Sequence, residues 1–163
     1  MSAQPMSNTD EQPLSEAEIE EILEEAAHYP SKAGASIDAL RIVQKNRGWV
    51  SDSTLKLVAD LLQMSIDELD GVATFYNLIY RRPVGKKVIL CCDSVSCWML
   101  GADEVKNKIS QRLGVGLGET TADGEYTLLP IVCLGACDHA PCLMVGDELH
   151  HDVTESKLDN ILK

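Results

Sequence analysis

The chain has 163 residues, 45% of them hydrophobic, which suggests one ordinary domain or two small ones with packed cores and excludes wholesale disorder. Fourteen Lys and Arg stand against 26 Asp and Glu, a net charge of -12. That balance argues against a general nucleic-acid binder and against docking on anionic membrane surfaces. No apolar run approaches the ~18 residues needed to span a bilayer. The N-terminus has neither the basic and apolar regions of a secretory signal nor the composition of a transit peptide, so a soluble protein of a reducing compartment is expected.

Residues 1–13, rich in Ser, Gln, Asn and Pro, read as a disordered tail. A helix follows. Ser15 and Glu18 have capping-box spacing, Leu14 and Ile19 occupy the staple positions, and Ile19, Ile22, Leu23 and Ala26 recur at helical spacing before Pro30. Residues 1–31 hold eight acids and no Lys or Arg, read as a solvated helix face. A second helix is expected over 36–46, with Ile37, Leu40 and Val43 inward and Gly48 beyond its end. A third runs from Ser51 or Asp52 to about Met64, and Ser65 with Glu68 makes a second capping box ahead of a fourth. Residues 1–82 carry 14 acids and 7 bases, a net of about -7, which speaks against a DNA-reading helix-turn-helix.

The texture changes at Arg81-Arg82-Pro83. Lys87 to Cys92 reads as a strand, 99–113 as a helix and 114–124 as a loop. Tyr126 to Val132 reads as another strand, and Cys142 to His151 as a hairpin turning at Gly146-Asp147. Thr154 is expected to cap a last short helix. Strand, helix, strand, hairpin, helix is the order of a thioredoxin-like α/β domain. The expected division is therefore a tail (1–13), a small helical bundle (14–82) and a thioredoxin-like domain (83–163).

All six cysteines lie in that last region, in two groups of three: Cys91, Cys92 and Cys97 after the first strand, and Cys133, Cys137 and Cys142 after the second. Without an export signal, metal or redox chemistry outranks a disulfide framework. In a thioredoxin-like sheet the two loops are neighbours, so two pairs can close one four-thiolate site. Cys91 and Cys92 are adjacent in a strand and point to opposite faces, so at most one reaches the site. Cys92 and Cys97 give C-x4-C, and Cys133 and Cys137 give C-x3-C. These spacings are wider than zinc-knuckle pairs and suit a binuclear iron–sulfur cluster, with a structural zinc site left as the alternative. Gly135 permits close approach and amide donation to sulfur. Cys91 and Cys142 read as buried free thiols, His139 as a loop residue beside the site, and His150 and His151 as surface residues. No C-x-x-C is present for dithiol chemistry, and Leu100 excludes the plant-type ferredoxin pattern. Gly114 to Gly118 lacks dinucleotide-binding spacing and context.

Three segments together carry a resemblance: Cys92-Asp93-Ser94-Val95-Ser96-Cys97, Leu129-Pro130-Ile131-Val132-Cys133-Leu134-Gly135-Ala136-Cys137, and Gly71-Val72-Ala73-Thr74-Phe75-Tyr76. From about residue 14 onward the chain resembles the family of thioredoxin-like [2Fe-2S] ferredoxin subunits of respiratory NADH:quinone oxidoreductase, complex I. The resemblance implies one [2Fe-2S] cluster on Cys92, Cys97, Cys133 and Cys137. It also implies partnership with the flavoprotein subunit that binds NADH and FMN and with the rest of the peripheral arm. The chain would then sit, peripherally and without inserting, on the cytoplasmic face of a bacterial inner membrane. Equivalent diaphorase subunits of NAD-linked hydrogenases or formate dehydrogenases are the related alternative. Phe75 and Tyr76 would lie near the junction of the two regions, or else in a core. Four thiolates around a binuclear cluster in an acidic protein predict a low potential, of the order of ~-400 mV. No residue serves as acid, base or nucleophile, and the isolated chain is expected to oxidise no NADH.

Overall fold

The structure is a computed structural model describing residues 12–162. The tail expected over 1–13 therefore lies outside the described residues except for Gln12 and Pro13, whose carbonyls accept hydrogen bonds from Arg47. The chain divides into two compact units after Pro83.

The first unit is helical. α1 (Glu16–Ala26) starts on the Ser15–Glu18 capping box: the Glu18 amide donates to Ser15 Oγ at 3.2 Å, and the Ser15 amide donates to Glu18 Oε2 at 2.8 Å. Ile22 and Ala26 enter the core, whereas Leu23, which shares their helical spacing, is 37% exposed. A 3-10 turn over Lys32–Ala35 leads into α2 (Ser36–Arg47), which buries Ala39, Leu40, Ile42 and Val43 and ends at Gly48 with φ 84°. α3 (Asp52–Leu62) is capped by Ser51 and buries Leu55, Val58, Ala59 and Leu62. α4 (Ile66–Phe75) starts on the second capping box and buries Leu69 and Ala73. These side chains form one aliphatic core, each large one contributing ~1.5–3 kcal/mol on burial.

Glu18 departs from the solvated-face reading. It is buried, and its carboxylate takes a two-pronged grip from Arg47, Nε to Oε1 at 2.8 Å and Nη2 to Oε2 at 2.7 Å. Phe75 and Tyr76 are not core residues either. Phe75 is 78% exposed, and the two rings meet edge to face.

The second unit holds a five-stranded sheet built from β1 (Lys87–Cys92), β2 (Glu119–Thr120), β3 (Tyr126–Ile131), β4 (Leu143–Val145) and β5 (Glu148–His150), in the order β2-β3-β1-β4-β5. β1 and β3 are parallel, in register from Lys87↔Tyr126 to Cys92↔Ile131, while β4 runs antiparallel to β1 and to β5. The helix expected over 99–113 is two helices, α5 (Val95–Met99) and α6 (Ala102–Leu113). Gly101 separates them at φ 94°, a conformation that breaks the helical run. The loop expected over 114–124 contains β2, which pairs with β3 and links Thr120 to Thr127 through their hydroxyls at 2.7 Å. Thr154 stands at the N-cap of α7 (Glu155–Ile161), but its hydroxyl pairs with Ser156 rather than with a helical amide.

Two packed groups lie in this unit. Ile89, Cys91, Ile109, Leu128, Leu143 and Leu158 belong to the larger. Cys92, Cys97, Ala140 and Cys142 form the smaller, with Leu134 and Ala136 packed against it. The alternation of a strand separates Cys91 from Cys92, as their adjacency predicts.

Candidate metal centre

The parallel pairing of β1 and β3 aligns Cys92 with Ile131 at the last step of the register. Two loops therefore leave the sheet side by side, tied at the start by the Asp93 amide donating to the Ile131 carbonyl at 2.8 Å. The first loop runs through Ser94 into α5, which buries Cys97. The second carries Cys133 and Cys137, both exposed, and ends in a 3-10 turn over Cys137–His139.

Cys92 and Cys97 are brought together, and Cys142 joins them as a third buried sulfur. All six cysteines are free thiols. Among the described residues, no three or more His, Cys, Asp or Glu side chains converge closely enough to hold a single metal ion. A mononuclear zinc site would gather four thiolates around one point at ~2.3 Å. A binuclear cluster takes its ligands in two pairs, one to each iron, which suits two loops with a pair on each.

The electrostatics at Cys92 favour a ligand. Burial pushes its thiol up, but the amides of Ser94 and Leu134 and the Cys97 thiol outweigh burial and hold it below the ordinary cysteine value. The Leu134 amide comes from the second loop, so both loops point donors at one sulfur. The Ser94 hydroxyl is buried and completes no hydrogen bond within the protein. It is an unsatisfied donor beside a ligand-type sulfur, which is the kind of polar group an anionic iron–sulfur centre would satisfy. At Cys133 the Gly135 amide donates to Sγ at 3.3 Å, an approach allowed by the glycine's φ of 77°. The donor set, four thiols in two pairs with amides aimed at sulfur, fits an iron–sulfur cluster.

The other thiols behave differently. Burial pushes Cys97 up, and its S–H is directed at Cys92. Cys91 is pushed up to about 12 by burial in the larger core, and Cys142 to about 11 by burial and by its neighbours Cys97 and Cys92. Both stay neutral thiols at physiological pH. His139 lies in the second loop, stacked on His151 at 5.1 Å and 3.4 Å from Asp152.

Sequence reasoning missed the donors Ser94 and Leu134 and the exposed apolar rim. Val95, Trp98, Met99 and Leu100 crowd α5 and its end, and Val132 begins the second loop, Met99 being 72% and Val132 73% exposed. The Trp-Met-Leu run is visible in sequence, but the helical period there draws attention to an inward face further along, at Val105, Ile109 and Leu113.

The profile of thioredoxin-like [2Fe-2S] ferredoxins matches residues 19–163. The chain belongs to the thioredoxin-like [2Fe-2S] ferredoxin family. Relatives of this ferredoxin include a subunit of the NADH-quinone oxidoreductase of Pseudomonas aeruginosa strain PAO1, 45% identical over 163 residues, which span 100% of this chain and 98% of the relative. The subunit of the same name from Escherichia coli strain K12 is 43% identical over 150 residues, 92% of this chain and 90% of the relative. Both carry the name of the complex to which the sequence motifs point. Among solved structures, an NAD+-reducing [NiFe]-hydrogenase in the air-oxidised state superposes with a TM-score of 0.66 at 19% identity. That match covers 78% of the ferredoxin and 22% of the hydrogenase chain, and at this identity it bears on the fold alone.

Proposed function

We propose that this ferredoxin is the electron-transfer subunit of a bacterial NADH:quinone oxidoreductase. Cys92, Cys97, Cys133 and Cys137 hold one [2Fe-2S] cluster, and the partner is the flavoprotein subunit that carries FMN and binds NADH. Residues 83–163 are the cluster domain. The bundle of residues 14–82 docks into the peripheral arm of the complex, on the cytoplasmic face of the inner membrane. When bound, the cluster supplies one-electron chemistry beside a flavin. The chain's own contribution is to hold four thiols in two pairs, to aim amides at their sulfurs and to shield Cys92 and Cys97 from water. No helix among the described residues is long and apolar enough to cross a membrane.

The observation that carries the reading is that paired β1 and β3 send two cysteine loops out side by side, with Cys92 and Cys97 packed together on one and the Gly135 amide donating to Cys133 Sγ at 3.3 Å on the other. Near-full-length identity to subunits of NADH-quinone oxidoreductase supports it over the hydrogenase alternative, whose support is likeness of fold.

The test is anaerobic purification followed by iron and acid-labile sulfide assays, absorption, and EPR before and after dithionite. Two irons and two sulfides per chain, with an EPR signal appearing on reduction, are expected. The isolated chain should give no NADH turnover, and adding the flavoprotein partner should allow NADH to reduce the centre. Stoichiometric zinc with no visible bands would overturn the reading and leave a scaffold.

A further inference from the structure

We infer that Cys142, which the proposed ligand set omits, is a positioning residue that clamps the turn carrying Cys137. The inference rests on Cys137 being a ligand, as proposed above.

Cys142 lies one residue before β4, where the β1–β4 register places it opposite Cys92, and the Cys92 amide donates to its carbonyl at 3.3 Å. Its backbone is thus fixed to the strand that carries a ligand. Its buried thiol packs beside Cys92 and Cys97 and also reaches the turn that follows Cys133. Sγ lies within hydrogen-bond distance of two backbone oxygens, 3.1 Å from the Ala136 carbonyl and 3.1 Å from the His139 carbonyl. Those carbonyls bracket Cys137 and Asp138. The His139 amide closes the turn on the Ala136 carbonyl at 3.1 Å, and the Asp152 amide also donates to the His139 carbonyl at 2.8 Å.

The turn needs such an anchor. Cys137, Asp138 and His139 are all exposed, so no side chain within it is held by burial. A segment with few buried contacts opens at low free-energy cost. Cys142 is the buried side chain that joins both ends of this turn to the strand behind Cys92. Its contacts to two backbone oxygens of one turn give it the place of a brace, while its packing against Cys97 and Cys92 ties that turn to the first pair of proposed ligands.

Four full-length proteins test the inference: wild type, Cys142→Ala, Cys142→Ser and Cys91→Ala. The last removes an equally buried thiol from the opposite face of the sheet. In the cluster-loaded proteins the readout is the rate of anaerobic bleaching by excess chelator. In the metal-free proteins it is amide exchange at His139 and Asp152, whose amides donate to the two carbonyls that Cys142 holds. Cys142→Ala should bleach faster by about threefold or more, the worth of a modest hydrogen bond, and exchange at both amides should accelerate. Cys142→Ser keeps a donor and should restore both readouts to within about twofold of wild type. Cys91→Ala should lower the melting temperature yet leave both readouts unchanged. Wild-type rates in Cys142→Ala, failure of the serine to rescue, or equal acceleration in Cys91→Ala would each overturn the clamp. Wild-type protein without iron would instead overturn the cluster reading, and amide exchange would still decide whether Cys142 braces the turn.

Discussion

A sulfur that carries charge draws hydrogen-bond donors, and donors stabilise the more negative state of whatever that sulfur binds. Ser94 is the side chain this applies to most directly. Its hydroxyl is buried close to Cys92 in sequence and completes no hydrogen bond within the protein, so it is free to donate to a bound centre. An added electron makes the centre more anionic and strengthens that interaction, so Ser94→Ala should lower the reduction potential. One hydrogen bond of ~0.5–1.5 kcal/mol corresponds to ~20–60 mV in a one-electron couple. A potentiometric titration followed by EPR measures it. An unchanged or higher potential in the variant would mean that the hydroxyl is turned away from the centre. The Ser94 and Leu134 amides should keep the rest of the tuning, because a side-chain substitution leaves the backbone donors in place.

Among the elements, α1 and α2 show where patterning ends and packing begins. Glu18 serves twice, as the third residue of the capping box and as the carboxylate gripped by Arg47. The Arg47 hydrogen bond, reinforced by those from Ser15, overcomes burial and holds Glu18 down from 4.5 to about 2. A carboxyl depressed on folding contributes stability that is complete above its unfolded value and is lost as pH falls through its folded value. The contribution, at most about 3 kcal/mol, should therefore fade between about pH 5 and pH 2. Urea titrations of the metal-free chain over that range should show wild type losing more stability than Glu18→Gln, whose amide does not titrate. Parallel losses would show that the pair contributes no net stability. The capping box itself was legible, because Ser-x-x-Glu is a local signal read within one turn. The Arg47 grip was not, since 29 residues separate the partners and nothing nearby in sequence distinguishes Glu18 from the other acids of α1. The same division runs through the second unit. Cys92 and Cys91 part to opposite faces because a strand alternates. Gly101 splitting α5 from α6, and the two-residue β2, depend on the left-handed φ of one residue and on pairing with β3, which a hydrophobic period does not encode. The pairing of the cysteine loops was readable from their places after two strands, whereas the amide of Leu134 at Cys92 depends on the folded path of the second loop.

For the whole molecule, the decisive feature is that each unit owns its core. The helical unit packs an aliphatic cluster from Ile22 to Ile79, and the second unit packs its own clusters from within residues 84–163. The ties that start the sheet also lie inside the second unit. The Gly85 amide donates to Thr127 Oγ1 at 2.6 Å, and the Lys86 and Lys87 amides donate to the carbonyls of Gly124 and Glu125 at 3.0 and 2.8 Å. A chain of residues 84–163 therefore keeps every element that positions the four proposed ligands. At about 80 residues its apolar core alone gives marginal stability, and a bound centre adds stability through linkage because it binds the folded form. This fragment should take up two irons and two sulfides on anaerobic reconstitution and reproduce the full chain's reduced EPR spectrum. Its melting temperature should rise on loading by more than that of the full chain. It should also bind the proposed flavoprotein partner more weakly, because the proposed docking bundle is missing. A fragment that loads the centre with an altered spectrum would show that the helical unit shapes the cluster environment. One that folds but stays colourless would place a required support within residues 1–83, which hold no cysteine. Unchanged affinity for the flavoprotein would leave the bundle's exposed Phe75, Tyr76 and Leu78 to be explained by a different member of the complex.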